Sequence, residues 1–116
     1  MASDVEILFA RSEASVPAIY RALLDRLGGF GPFMVEVKTA SIHLVAGSAF
    51  AGVHPMKSRL RLNIRTDRPI TGPRVVRSEQ ISTHRFHNEV DLRNPADVDE
   101  ELLGWLRQAY ALGRRG

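Results

Sequence analysis

Hydrophobic and polar positions alternate most clearly between Arg59 and Arg65, where Leu60, Leu62 and Ile64 are interleaved with Arg59, Arg61, Asn63 and Arg65. A period of two places the first set on one face of a β-strand and the second on the other. That strand is predicted to be buried on one side and wet on a basic side. Strand-like runs also occupy Phe33 to Thr39, Ser41 to Ala46, Ala49 to His54 and His84 to Leu92. In the last, Phe86, Val90 and Leu92 point inward, and Asn88 falls on the same side as a polar residue that needs partners. A different period governs Val16, Ile19, Tyr20, Leu23, Leu24 and Leu27, whose spacings of three and four predict an amphipathic helix with Ser15 as its cap and Pro17 in its first turn. Val98, Leu102, Trp105, Leu106, Ala109 and Leu112 predict a second long helix, with Asn94 as cap and Pro95 as its opening residue. Ser3-Asp4-Val5-Glu6 has capping-box spacing and predicts a short helix from about Asp4 to Ala10.

Turn chemistry sets the register. Gly47-Ser48 suits a two-residue hairpin turn that would pair Ala46 with Ala49, Leu44 with Ala51 and Ile42 with Val53. A loop of Pro55 to Ser58 then pairs Val53 with Leu60, Ala51 with Leu62 and Ala49 with Ile64. On that grid the face turned away from the helices collects His43, Val45, Phe50, Gly52, His54, Arg59, Arg61 and Asn63. His54 falls beside Arg59, and His43, Gly52 and Arg61 share a row. Thr66 to Val76, with Pro69, Gly72 and Pro73, reads as a loop, and Ser78 to Ser82 as a further helical turn. Gly28-Gly29-Phe30-Gly31-Pro32 follows a helix and lacks a Gly-Lys-Ser/Thr ending, so it reads as a left-handed helix stop and a turn rather than a phosphate loop. The expected fold is one α+β domain over residues 1–116: a two-layer sandwich, its antiparallel sheet of about four strands carrying N-terminal and C-terminal helices on one face.

Composition sharpens this picture. A chain of 116 residues, 44% hydrophobic and without cysteine, builds one core and no disulfide. It contains no apolar run of the roughly 18 residues a membrane span needs, and its N-terminus lacks a secretory pattern, which makes cytoplasmic residence the expectation. The net charge of +3 conceals a polarity: seven basic residues and one acid lie between Lys57 and Arg77, a local +6 that leaves −3 for the remainder. Such polarity favours an anionic partner. Asp97, Asp99, Glu100 and Glu101 cluster where the closing helix begins, and their placement matches helix-end electrostatics rather than a metal site.

Taken together, Val35-Glu36-Val37-Lys38, the block Phe50 to Pro55 continuing through Arg59-Leu60-Arg61-Leu62, the strand around His87 to Leu92, and Asp97 to Leu103 running through Trp105-Leu106 to Ala109-Tyr110 resemble a small bacterial domain family of unknown function, some of whose members carry the label "predicted transport protein". The resemblance covers nearly the full chain and implies a fold rather than an activity. By looser analogy, helices on an antiparallel sheet are similar to the frataxin-like arrangement, which also hosts small DNA-binding proteins. Frataxin's acidic iron-binding ridge does not carry over, because the long first helix offers only Asp25 near its end.

The chain has no Cys-x-x-Cys, His-Glu-x-x-His, Gly-x-Ser-x-Gly or Gly-x-Gly-x-x-Gly, and no cofactor is expected. His84 and His87, three apart in a strand, would point to opposite faces and hold no metal jointly. What remains is the polar sheet face, where histidine and arginine converge near a glycine: His43, His54, Lys57, Arg59, Arg61, Arg65 and His87 are the candidate anion ligands. The reading is a non-catalytic module for an anionic partner, either nucleic acid backbone or a phosphate-bearing ligand. The absence of interleaved aromatics argues against base stacking. Two alternatives accompany it: a protein-interaction or oligomerising subunit, such as a homodimer, using a sheet edge or the Arg65–Arg77 segment, and a small hydrolase built on His87, Glu89 and His54.

Overall fold

The computed structural model of the protein describes residues 3–115. Three helices, α1 (Asp4–Phe9), α2 (Ser15–Leu27) and α3 (Glu100–Arg115), pack on one side of a single antiparallel sheet. Its strands are β1 (Met34–Val37), β2 (Ile42–Ala46), β3 (Ser48–Pro55), β4 (Leu60–Thr66), β5 (Val75–Ser82) and β6 (Arg85–Leu92), in spatial order β1-β2-β3-β4-β6-β5. The α+β class is as expected, but the sheet has six strands rather than about four. Five of the six match the strand-like runs of the sequence; the unexpected strand is β5, read from sequence as loop and helical turn. Every one of its residues except Val75 is exposed, so no buried face imposes a period on its sequence. Its place comes from the β6 ladder alone, which bulges at Val76 and again at Ile81.

Alternation in the central strands performs as predicted. Leu60, Leu62 and Ile64 of β4, Val90 and Leu92 of β6, and Ile42 and Leu44 of β2 are fully buried against Val16, Ile19, Leu23 and Leu27 of α2 and Leu102 and Leu106 of α3. Each such side chain contributes about 1.5–3 kcal/mol. Helix ends follow the sequence less closely. Ser3 Oγ accepts from the Glu6 amide as a cap should. Ser15, by contrast, is the first residue of α2, whose cap position is Ala14 with no side-chain bond. Asn94-Pro95 opens a 3₁₀ turn (Pro95–Asp97), Val98 breaks the helical path, and α3 is instead capped by Asp99, whose Oδ1 accepts the Leu102 amide at 3.0 Å. Gly28 ends α2 in right-handed geometry; the left-handed residue is Gly31, where an added Cβ would meet the Tyr110 hydroxyl at 2.6 Å.

Both hairpins depart in detail from the expected register. Gly47 turns the β2–β3 hairpin with φ +79, Ala46 pairs with Ser48, and a bulge restores Leu44 opposite Ala51. Phe50 is the additional residue of that bulge. It therefore rotates to the helix side, where it is 1% exposed and meets Phe33 and Tyr110 edge to face, instead of standing on the polar face. At this corner α3 approaches closely: a Cβ on Gly113 would lie 2.9 Å from the Ala46 carbonyl oxygen and 3.1 Å from that of Ser48. Next, the β3–β4 turn runs Met56 to Arg59, closed by the Met56 amide donating to the Arg59 carbonyl, so Pro55 pairs with Leu60, Val53 with Leu62 and Ala51 with Ile64. The slip is two residues, which keeps every apolar side chain inward. His54 consequently faces Arg61, not Arg59, and Gly52 faces Asn63.

Asn88 resolves the question its sequence position raises. Fully buried, it accepts from the Ile70 amide and the Ser78 hydroxyl and donates to the Ile64 carbonyl and the Thr66 hydroxyl. One side chain thus ties β4, β5 and the 67–74 loop to β6, and no buried hydrogen-bonding capacity is wasted. Arg74 fastens the other end of that loop, donating to Asp99, Glu101 and the Asp97 carbonyl at the head of α3.

Candidate functional site

The face of the sheet that no described helix covers is organised by the β4–β6 ladder, which sets Arg61 opposite Asp91, Asn63 opposite Glu89 and Arg65 opposite His87. At the end near the β3–β4 turn Arg59 and Arg61 have acidic partners. Arg61 donates Nε to Asp91 Oδ1 at 2.8 Å and Nη2 to Oδ2 at 3.0 Å, a bidentate fork, while Arg59 Nε lies 3.2 Å from the same carboxylate. Glu89 approaches Arg61 at 3.9 Å. The hydrogen bond from Arg61 holds the Asp91 carboxyl below its ordinary range, and that same bond raises the guanidinium of Arg61. Two arginines thus pair with two acids, and Arg93 adds a third positive charge acting on Asp91. His54, opposite Arg61, is exposed, and its Nε2 would lie 3.7 Å from a Cβ on Gly52, so the missing side chain gives the imidazole room beside the backbone.

In the middle of the face one row runs Glu36, His43, Gly52, Asn63, Glu89 across β1, β2, β3, β4 and β6. His43 is held below the usual histidine range, first by burial and then by the charges of Arg65 and Lys38. Asn63 Oδ1 is buried without a hydrogen-bond partner among the described residues.

The far end is different. Arg65, Arg85 and His87, with Ser48, Ala49 and Ile81, line a cavity of about 260 Å³. Alternation places Arg85 and His87 on the same side of β6, and the ladder brings Arg65 against them. Among the described residues neither Arg65 nor Arg85 has an acidic partner; the nearby Glu79, opposite His87, is paired with Arg77. Arg65 reaches only the Ala49 carbonyl, at 3.5 Å, and its Nε is buried with no partner among the described residues. Burial, then the charge of Arg85, pushes Arg65 down from the ordinary arginine range; burial, then Arg65, pushes His87 down. A partly buried cation crowded by another is short of one thing, a negative charge. Ser48 directs its hydroxyl to the Gly113 carbonyl and contributes wall rather than donor.

Of the seven residues singled out from sequence, the structure brings Arg65 and His87 together, sets Arg59 and Arg61 on Asp91 with His54 across the β3–β4 ladder from Arg61, leaves His43 between, and sets Lys57 exposed in the β3–β4 turn. Four residues along β4 separate the positions opposite His54 and His87, roughly 13 Å at the strand rise. Arg85 and Ile81 were missed. Arg85 carried a legible signal, two residues before His87 and hence on its face; Ile81 carried none, because a bulge decides its direction. No group of three metal-ligating side chains occurs among the described residues. A roomier cavity of about 810 Å³ beside α1, lined by Ile7, Leu8, Pro55 and Met56 with Arg11 and Lys57, has no acid or histidine in its wall, and both its cations are exposed.

Six antiparallel strands, one face packed by helices and the other polar, with an unneutralised arginine pair at one end, define the class: a two-layer α+β protein with an open sheet face. The chain belongs to the family described as Domain of unknown function (DUF5655), whose model matches residues 5–113. No curated protein and no solved structure matches it.

Proposed function

We propose that the protein is a non-catalytic binding module for a compact oxyanion, a phosphate or carboxylate group held between Arg65, Arg85 and His87. The observation that carries this reading is the contrast in charge pairing: Arg59 and Arg61 both lie against Asp91, whereas neither Arg65 nor Arg85 has an acidic partner among the described residues, and a buried Nε without a hydrogen bond is common to Arg59 and Arg65. Guanidinium groups are suited to the task because they present a planar fork to oxyanions. Nucleic acid is the less favoured partner, since a long polyanion lying on this face would also meet Glu36, Glu89 and Asp91. Catalysis by His54 with His87 is disfavoured by their separation. The β5 edge, with Val76 and Ile81 about half exposed, supports the second reading, an interaction or oligomerising subunit.

Titration with sulfate at low ionic strength, followed by calorimetry and amide chemical shifts, tests the proposal. Binding centred on Arg65, Arg85 and His87 is expected, with a loss of about tenfold or more in Arg65→Ala and at most about twofold in Arg61→Ala, in line with a charge-assisted bond of roughly 1.5–3 kcal/mol. Equal losses in the two variants, or shifts centred on Arg59 and Arg61, would overturn it.

A further inference from the structure

We infer that the ligand of the Arg65–Arg85–His87 cavity is amphiphilic, an oxyanion carrying a short aliphatic tail, with the tail laid against Ile81. This deepens the oxyanion reading and rests on it. The cavity spans β3, β4, β6 and β5: its cationic groups come from β4 and β6, and its flanking walls are Ala49 on one side and Ile81 on the other. Ile81 occupies the bulge between the Gln80–Phe86 and Ser82–Arg85 pairs and is 50% exposed, outside the hydrophobic core. A bulge re-aims a side chain. Here it sets a branched hydrocarbon beside two guanidinium groups, and the Ser48 hydroxyl, the one small polar donor in the wall, is turned away to Gly113. A fully hydrated inorganic ion would find hydrocarbon on both flanks of its charge partners; an ion with a tail fills that surface.

Size suits a short tail. At about 30 Å³ for each water-sized group, 260 Å³ holds roughly nine. An oxyanion head takes about half, leaving space for a chain of about four carbons within the cavity.

The experiment compares methyl phosphate with butyl phosphate, and acetate with pentanoate, on the full chain and on Ile81→Ser and Ile81→Val. A fully buried methylene is worth about fourfold in affinity. Three methylenes against a half-exposed wall are therefore expected to give a gain of roughly tenfold in whichever series carries the matching head, the two series deciding between phosphate and carboxylate. Ile81→Ser should abolish the gain, so that long and short ligands bind it alike, and Ile81→Val should retain most of it. Short ligands that bind without any gain from the longer chain overturn the inference and leave the oxyanion reading standing. A gain that survives in Ile81→Ser overturns the placement of the tail. No binding by any of the four ligands overturns the oxyanion reading and this inference together.

Discussion

The two ends of the β4–β6 ladder solve opposite problems on opposite faces. Near the β3–β4 turn the outer face is a closed set of ion pairs, Arg59 and Arg61 on Asp91, and the inner face beneath it is hydrocarbon: Leu60, Leu62, Val90 and Leu92. At the other end the outer face carries arginines without an acidic partner among the described residues, and the inner face is a polar knot centred on Asn88, Thr66 and Ser78. On the proposed reading, stability and recognition are divided along one pair of strands. Where the charges are satisfied the sheet needs nothing further; where they are not, side-chain hydrogen bonds hold the strands from beneath while the surface stays available.

The largest way to break this contrast is from below. Asn88→Leu would leave the Ile70 amide and the Ile64 carbonyl without this partner, while the Thr66 hydroxyl keeps the Arg68 carbonyl and the exposed Ser78 turns to water. At about 1 kcal/mol or more for each unmet buried group, a loss of about 2 kcal/mol or more is expected in chemical denaturation. A loss below about 1 kcal/mol would mean that water replaces the knot and the far end is held by packing alone.

A smaller effect is expected at the balanced end. Asp91→Asn should lower stability by about 1–2 kcal/mol near neutral pH, because it strips a partly buried fork of its charge. Its pH dependence has a definite sign. Arg61 depresses the folded-state carboxyl of Asp91, so its contribution is present above the ordinary carboxylate range and is lost as pH falls through that range toward the folded value. Wild type and variant should converge in acid; a stability gap that does not shrink would assign the effect to packing. The same substitution sharpens the contrast from the other side, since it frees Arg59 and Arg61. Combined with Glu89→Gln it should create a second sulfate site and introduce salt-sensitive DNA binding, both measurable by titration.

The smallest expected effect is on His87. Its pKa is depressed by burial and by Arg65, so it is neutral at and above neutral pH and gains a proton only below the ordinary histidine range. Sulfate keeps its charge across that interval. Affinity should therefore rise several-fold as pH falls from 8 toward 5.5, with protons taken up on binding, and the profile should be flat in His87→Gln.

Much of the architecture is legible in the sequence because one physical cause, burial of one face, writes a period into β2, β4, β6, α2 and α3. Where no face is buried the period vanishes, which is why β5 read as loop. Bulges are silent for a related reason. The residue that makes one is chosen by what it meets in three dimensions, and Phe50 turned inward because Phe33 and Tyr110 offered it a pocket. The site was half legible. Its basic residues stood out, but which of them are neutralised depended on β6, whose acids Glu89 and Asp91 lie more than twenty residues beyond the arginines they meet. A count of charge along the chain treats Arg61 and Arg65 alike; the ladder separates them.

At the β2–β3 corner Gly113 lets peptide meet peptide, with the backbone of the last helix seated directly on the carbonyls of Ala46 and Ser48. Elsewhere the layers are separated by side chains that can change rotamer and absorb a disturbance. Here that cushion is missing, so a methyl group at Gly113 would press directly on Ser48, which with Ala49 forms one rim of the cavity. On the proposed oxyanion reading that wedge is expected to loosen the ligand without touching Arg65, Arg85 or His87.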